Sequence, residues 1–138
     1  TTVVDVPDSA KRRVNSFLGS DNTKYIVAYI EPRTPKVAVN DMTLGVWKMQ
    51  DMMTFPVVDG YTVKVDPRMP GMGNHSSPNN VHPTQTAAGK LYNGKLALTM
   101  TGYWKINLQL VKTDGTVVGG QEVTETNLAS TIFFEIDF

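Results

Sequence analysis

Strict alternation of apolar and polar residues is the feature that most constrains the fold of this chain. Residues 61–66 (YTVKVD), 104–110 (WKINLQL) and 132–138 (IFFEIDF) each place an apolar side chain at every second position. Side chains two residues apart lie on one face of a strand, so each segment has one buried face and one wet face. Such one-sided strands are typical of antiparallel sheets, and they predict an all-β protein.

Turn signals divide the chain into about seven short strands. Further strand candidates are residues 24–31, 42–49 and 95–101, with weaker ones at 121–126 and at 3–7 or 14–18. The pairs Asp59-Gly60, Asn93-Gly94 and Asp114-Gly115 separate apolar runs and are typical of hairpin turns. This spacing predicts an immunoglobulin-like antiparallel β-sandwich over residues 21–138, with Trp47 or Trp104 as the large central core residue. Residues 1–20 are expected to form a linker and an edge strand.

Composition excludes several classes of function. The chain has no cysteine, so it has no disulfide, zinc–thiolate site or cysteine nucleophile. Lys and Arg together number 13, as do Asp and Glu, and this balance predicts no basic surface for nucleic acid. Seven methionines without any cysteine fit an oxidising, extracytoplasmic compartment such as the periplasm. No apolar run approaches the ~20 residues of a membrane-spanning helix. We therefore expect membrane attachment only through an N-terminal anchor outside this chain.

The segment MPGMGNHSSPNNVH, residues 69–82, is the best candidate for a functional site. It contains two methionines and both histidines of the protein within a run of turn-forming residues. Thioether and imidazole are soft or borderline neutral ligands, which suit Cu(I). Met69, Met72 and His75 recur at every third residue, and His82 can approach from the far side of the loop. We therefore predict a copper site formed by Met69, Met72, His75 and His82.

A structural role for the same methionines is the alternative. Methionine is flexible and fills irregular gaps, so Met69 and Met72 can cap one end of the core. In that case the loop only connects two strands, and the domain is a structural or protein–protein interaction module. Met49, Met52 and Met53 form a second methionine group, which we interpret as a cover over the core or as an exposed contact surface.

No pattern in the chain predicts catalysis. Ser76 and Ser77 follow His75, but no strand-to-helix nucleophile elbow surrounds them. The acidic residues are scattered and suggest no glycosidase-like pair of carboxylates. Glycine-rich phosphate loops and dinucleotide-binding fingerprints are absent from the sequence. We therefore expect a protein without enzymatic activity.

Two segments of the chain resemble a known protein family. The sequence MPGMGNHSSPNN at residues 69–80 and the later YNGKLALTMTGYWKINLQL at residues 92–110 are similar to the YtkA-like and FixH-like domains of bacterial extracytoplasmic proteins. Those domains combine an M-P-x-M segment and a polar loop, often with histidine, with a G-x-W motif that opens a strand. The similarity extends over residues 24–110.

The resemblance implies an immunoglobulin-like sandwich without enzymatic activity, in a cell-envelope lipoprotein of the Bacteroidetes type. Relatives occur in copper-handling and cytochrome-oxidase-assembly contexts. Copper is therefore the implied metal, and the implied partner is another envelope protein or a metal-transfer protein. Asn74 departs from the family pattern, because many members have His directly after Met-Gly, whereas the nearest histidine here is His75.

Overall fold

The computed structural model describes residues 14–138 as ten β-strands and one short 3₁₀ turn. The strands are β1 (Val14–Leu18), β2 (Lys24–Glu31), β3 (Val39–Lys48), β4 (Thr62–Met69), β5 (His75–Ser76), β6 (Val81–Gln85), β7 (Tyr92–Ala97), β8 (Tyr103–Val111), β9 (Val117–Gly120) and β10 (Phe133–Asp137), and the 3₁₀ turn is Pro70–Met72. In residues 14–138 there is no helix long and apolar enough to cross a membrane. The strand candidate at residues 3–7 and most of the predicted linker lie outside the described residues.

All ten strands belong to one antiparallel sheet that is nearly closed into a barrel. The strand order is β1-β2-β3-β7-β6-β4-β8-β10, with β5 added to β4 and β9 added to β8. The two strands at the ends of this order approach each other: the side-chain amide of Asn15 on β1 donates a hydrogen bond of 2.7 Å to the carbonyl oxygen of Phe133 on β10. The prediction of an all-β antiparallel fold is confirmed.

The alternating apolar residues fill the inside of this sheet. Val63 and Val65 on β4 are buried, and so are the apolar residues of β8, which are Trp104, Ile106, Leu108 and Leu110. Val65 pairs with Leu108, so the two apolar rows face the same core. Trp104 has no exposed surface and belongs to the main core cluster, as expected for the large central residue.

The seven-strand count and the two-sheet sandwich are not confirmed, because three further strands join every element into one ladder. β5, β6 and β9 have only two, five and four residues, too few for alternation to be recognised. β6 also contains Pro83, a residue type usually excluded from central strands. The predicted turn at Asn93-Gly94 is wrong, because both residues lie inside β7. The weak strand predicted at 121–126 is also wrong, since β9 ends at Gly120.

The chain between β9 and β10 covers part of the outer face of the sheet. Alternation predicts Asn107 on the wet face of β8, yet its exposure is only 2%. The backbone N–H of Ser130 donates to Oδ1 of Asn107 at 2.9 Å, and the Ser130 hydroxyl donates to the carbonyl oxygen of Leu108 at 2.7 Å. A polar residue of the sheet is therefore buried by the segment that leads into β10.

The two methionine groups lie at opposite ends of the barrel-like sheet. Met69 is the last residue of β4 and pairs with β5. The Met49 group follows the end of β3, where Lys48 pairs with Tyr25. The Tyr25 hydroxyl lies 3.1 Å from that of Tyr61, immediately before β4 begins. The second methionine group is therefore near the start of β4, whereas the predicted metal loop is at the end of that strand.

Candidate functional site

A hairpin between β4 and β5 carries the predicted metal-binding segment. The chain leaves β4 at Met69 and passes through the 3₁₀ turn Pro70–Met72. Gly73 and Asn74 then adopt left-handed φ angles of 67° and 60°, a conformation that glycine and asparagine tolerate best. The reversal places His75 directly opposite Met69 in antiparallel register. Residues paired in this way have side chains on the same face, with Cβ atoms roughly 5 Å apart.

The two methionines of this hairpin have different surroundings. Met69 is 4% exposed and packs in the main core cluster. Met72 is 59% exposed and lies in the 3₁₀ turn, which contains no buried residue. The interpretation of these methionines as a core cap therefore fits Met69 and does not fit Met72. Met72 remains accessible to an external ligand.

His75 is an exposed imidazole held at the end of the core. Its Nε2 atom lies 3.2 Å from the hydroxyl oxygen of Thr99, at hydrogen-bond distance. Its ring lies 6.1 Å from the ring of Trp104, at an interplanar angle of 52°. Nδ1 of His75 forms no hydrogen bond with any residue in 14–138. The imidazole is therefore oriented through Nε2, and Nδ1 keeps the capacity to bind a ligand.

His82 lies away from His75. Nδ1 of His82 accepts a hydrogen bond of 3.1 Å from the backbone N–H of Val65. Val65 precedes Met69 by four residues on β4, which corresponds to about 13 Å along a strand. Burial first, and then the positive charge of Lys64, lower the pKa of His82, while the carboxylate of Asp66 acts in the opposite direction. Of the four predicted ligands, the structure thus pairs Met69 with His75, places Met72 in the turn between them, and holds His82 farther along β4, at Val65.

The connection between β7 and β8 approaches the same end of the core and was not part of the predicted site. Nε1 of Trp104 donates a hydrogen bond of 3.0 Å to the carbonyl oxygen of Met100, whose side chain is 38% exposed. A Cβ atom at Gly102 would lie 3.0 Å from the methyl carbon of Met69, so the tip of Met69 reaches this connection. We refer to Met69, Met72, His75 and Met100 as the rim. Met100 lies inside the strand predicted at residues 95–101, but β7 ends at Ala97, and Met100 belongs to the connection beside Thr99, which contacts His75.

The rim combines thioethers with an imidazole and contains no carboxylate. The hairpin is tied to Arg68, which donates to the carbonyl oxygen of Asn74 at 3.4 Å and forms an ion pair with Asp66 at 3.0 Å. Within residues 14–138, no group of three or more His, Cys, Asp or Glu side chains is close enough to hold a metal ion. Thioethers are a separate class of ligand, and they are what the rim provides, together with one imidazole. Whether these residues bind copper stays a prediction.

A polar groove of about 510 Å³ lies on the outer face of the sheet, apart from the rim. Its lining includes Lys64, Asp66, His82, Gln109 and Glu122. The Asp66 carboxylate is already paired with Arg68. Both signs of charge line the groove, so its electrostatics favour no single class of ligand. Only His82 connects it to the residues that the sequence singled out.

The second methionine group presents its side chains to solvent. Met52 and Met53 are 86% and 73% exposed, in a tight turn closed by an isolated bridge between Asp51 and Thr54. The backbone N–H of Met53 donates to the Asp51 carboxylate at 2.8 Å. This hydrogen bond is the largest cause of the lowered pKa of Asp51. Of the two interpretations given for this group, the exposed surface fits Met52 and Met53, and a cover over the core does not.

The rim thus consists of three methionines and one histidine at the end of the sheet where Trp104 is buried. Its residues come from a hairpin and from a neighbouring strand connection, at one end of a nearly closed sheet. Comparison with protein-family models, with curated proteins and with solved structures gives no match to this chain.

Proposed function

We propose that this protein is a non-enzymatic, extracytoplasmic domain that binds Cu(I) at the rim and passes it to another envelope protein. The observation that carries the proposal is the antiparallel pairing of Met69 with His75. This pairing puts a thioether and an imidazole on one face of a hairpin, next to the exposed thioether of Met72.

Cu(I) suits this set better than other common metal ions. It prefers soft, neutral ligands, which thioether and imidazole supply without a carboxylate. A thioether needs no deprotonation before it binds a metal, so the methionines of the rim would keep their affinity at acidic pH. Met72, His75 and Met100 are also accessible, as exchange with a partner protein requires.

The relation to YtkA-like and FixH-like domains is part of the proposal. Its support is positional: the M-P-x-M segment lies at the β4–β5 hairpin, and Gly102-Tyr103-Trp104 opens β8 as the G-x-W motif does in the family. In this interpretation β1-β2-β3-β7 and β6-β4-β8-β10 are the two halves of an immunoglobulin-like sandwich. The family relation would also place the domain in a periplasmic or surface lipoprotein.

The test is an anaerobic Cu(I) titration in competition with a chromophoric chelator. We expect the parent protein to withdraw about one equivalent of Cu(I) from the chelator, as expected for one site. The double variant His75→Ala/Met72→Leu should lose this competition. The matched control is Met52→Leu/Met53→Leu, which changes two methionines at the other end of the molecule and should bind as the parent does. Absence of competition by the parent would contradict the proposal.

A structural or protein–protein interaction module is the second candidate function. The burial of Met69 favours it, because this residue fills the core as a cap would. The exposed pair Met52 and Met53 favours it as well, since flexible methionines are common on adaptable contact surfaces. Replacing Met69 and Met72 by leucine separates the two candidates, because leucine keeps size and apolarity. A variant that folds but no longer binds Cu(I) supports the metal site, whereas a variant that unfolds supports the cap.

A further inference from the structure

We propose that Nδ1 of His75 is the metal-binding nitrogen, that Thr99 is the residue that positions it, and that Met100 is an additional thioether ligand. This inference rests on the proposed function. The resulting set of ligands would make the rim selective for the soft monovalent ions Cu(I) and Ag(I). Neither Thr99 nor Met100 belongs to the segment that the sequence singled out. The connection between β7 and β8 brings Thr99 to His75, and Met100 is the next residue of that connection.

The contact of Nε2 determines which nitrogen of His75 is free to bind a metal. Nε2 of His75 lies 3.2 Å from the Thr99 hydroxyl oxygen. Metal-bound histidines usually donate their second N–H to a fixed acceptor, which sets the tautomer and the ring orientation. If Nε2–H donates to Thr99, Nδ1 carries the lone pair and is available for the metal. His82 is arranged differently, because its Nδ1 already accepts the N–H of Val65.

Two hydrogen bonds fix the connection between β7 and β8, which carries Met100. Nε1 of Trp104 holds the Met100 carbonyl oxygen at 3.0 Å, and the N–H of Gly102 donates to the carbonyl oxygen of Phe138 at 3.0 Å. These bonds anchor the connection against the end of the core, where the Met69 methyl reaches Gly102. Met100 is partly exposed at this point. The backbone of Met100 is therefore fixed at the end of the sheet that carries Met69 and Met72, and we propose that its thioether reaches the same ion.

Selectivity follows from the ligand types. Three thioethers and one imidazole supply no negative charge, so Zn(II) and Cu(II) would gain little from the site, while Cu(I) and Ag(I) would gain their preferred soft ligands. The indole of Trp104 is buried beside His75, with 6.1 Å between the two ring centroids, so an ion bound to His75 would lie close to it. Ion binding at the rim should therefore change the fluorescence of Trp104.

The test uses Ag(I), a diamagnetic ion, and the ¹⁵N-labelled chain of 138 residues. Long-range ¹H–¹⁵N spectra distinguish Nδ1 from Nε2 in each histidine. We expect one equivalent of Ag(I) to shift Nδ1 of His75 and to leave both nitrogens of His82 in place. In a Trp47→Phe background, where Trp104 is the remaining tryptophan, the same addition should lower the emission. Zn(II) should cause neither change.

Variants test the two new residues. Thr99→Val keeps the shape and removes the hydroxyl, and we expect about 10- to 100-fold weaker Ag(I) binding, as for lost orienting partners elsewhere. Thr99→Ser should restore the affinity and the Nδ1 shift. Met100→Leu should weaken binding, while the control Met53→Leu should not. Thermal unfolding of each variant, followed by circular dichroism, confirms that it is folded.

The outcomes separate this inference from the proposed function. If the parent binds neither Ag(I) nor Cu(I), both are wrong. If the parent binds Ag(I) but the shift falls on Nε2 of His75, or if Thr99→Val and Met100→Leu bind as tightly as the parent, this inference alone is wrong. The proposed function would then stand on Met69, Met72 and His75.

Discussion

Asn107 connects three parts of the chain through one buried amide. Its Nδ2 donates to the carbonyl oxygen of Asp66 at 3.1 Å, and its Oδ1 accepts the N–H of Ser130 at 2.9 Å. Both Asn107 and Ser130 are at most 3% exposed. A buried polar group that loses its partner keeps the full cost of its desolvation. The amide therefore fixes β8, β4 and the segment before β10 relative to one another.

For Asn107→Ala we expect the free energy of unfolding to fall by about 1–3 kcal/mol, because the buried N–H of Ser130 loses its acceptor. Urea denaturation of parent and variant measures this difference. Gln109→Ala is the control: it alters the neighbouring outward residue of β8 and should change stability by no more than about 0.5 kcal/mol. Equal effects of the two substitutions would contradict the role of the amide.

His82 makes stability depend on pH. Its Nδ1 can accept the N–H of Val65 only while it is unprotonated, and burial and Lys64 lower its pKa below the usual 6.5. The unfolded chain then takes up a proton at a higher pH than the folded protein does. The contribution of His82 is complete above about pH 6.5 and is lost as the pH falls through the lower, folded-state pKa.

We therefore expect the free energy of unfolding from urea denaturation to decrease as the pH falls below about 6.5, and His82→Gln to flatten this decrease. His75→Gln serves as the comparison that separates the two histidines. A pH dependence that is the same in the parent and in His82→Gln would show that other groups cause it.

At the scale of elements, the β6–β7 pair shows why one glycine is needed. The register of this pair shifts between Val81 and Thr84, and Gly94 lies opposite the irregular part. A Cβ atom at Gly94 would lie 2.3 Å from the carbonyl oxygen of Val81. The two backbones are therefore closer than any side chain allows. The sequence Asn93-Gly94 predicts a turn, but in the structure it is the part of β7 that packs against the irregular part of β6.

For Gly94→Ala we expect a loss of about 1–3 kcal/mol in the free energy of unfolding, as for other overpacked positions. The control is Gly71→Ala in the 3₁₀ turn, where an added Cβ meets no atom within 4 Å. Thermal or urea unfolding compares them. If the two alanine variants are equally stable, β6 and β7 can separate more easily than their spacing indicates.

The long strands could be predicted from sequence because one of their faces is buried. Residues 24–31 were predicted as a strand and form β2 with the same bounds, and residues 104–110 lie within β8. Alternation failed for β5 and β9, which are too short to show a period, and for β6, which is interrupted by Pro83. It also failed at Asn107, whose burial depends on a segment more than twenty residues later in the chain.

The candidate site could be predicted only where its residues are neighbours in sequence. Met69, Met72 and His75 are close along the chain, and the hairpin pairs Met69 with His75 and places Met72 in its turn. His82 follows only seven residues after His75, but the intervening chain carries it along β4 to Val65. Thr99 and Met100 belong to the connection between β7 and β8. No local sequence pattern predicts that Thr99 contacts His75.

At the scale of the whole molecule, the seam between β1 and β10 decides how closed the sheet is. The side-chain amide of Asn15 donates a hydrogen bond to the carbonyl oxygen of Phe133 and so links the two strands, which share no backbone pairing within residues 14–138. A second tie runs from the N–H of Ser20 to the carbonyl oxygen of Val118 on β9. The ring of Phe17 also lies so close to Gly119 that a Cβ atom there would be 2.2 Å from it.

For Asn15→Ala we expect faster hydrogen exchange of the amides of β1 and β10, with a loss of about 1 kcal/mol in global stability, the size of one hydrogen bond. Exchange followed by mass spectrometry locates the change. Ser16→Ala, at an exposed position of the same strand, is the control. Unchanged exchange at both strands would show that the remaining contacts alone keep the seam closed.

Met69 belongs to the core and to the rim at once, so under the proposed function metal loading would be coupled to folding. An ion held by a core side chain binds the native chain and not the unfolded one, so at 100 times its Kd it would add about 2.7 kcal/mol to stability. The coupling works in both directions. A substitution anywhere in the barrel that loosens the packing around Met69 would also lower the affinity for the ion. The melting temperature would thus report how much of the protein has an ion bound at the rim, without any spectroscopic signal from the metal.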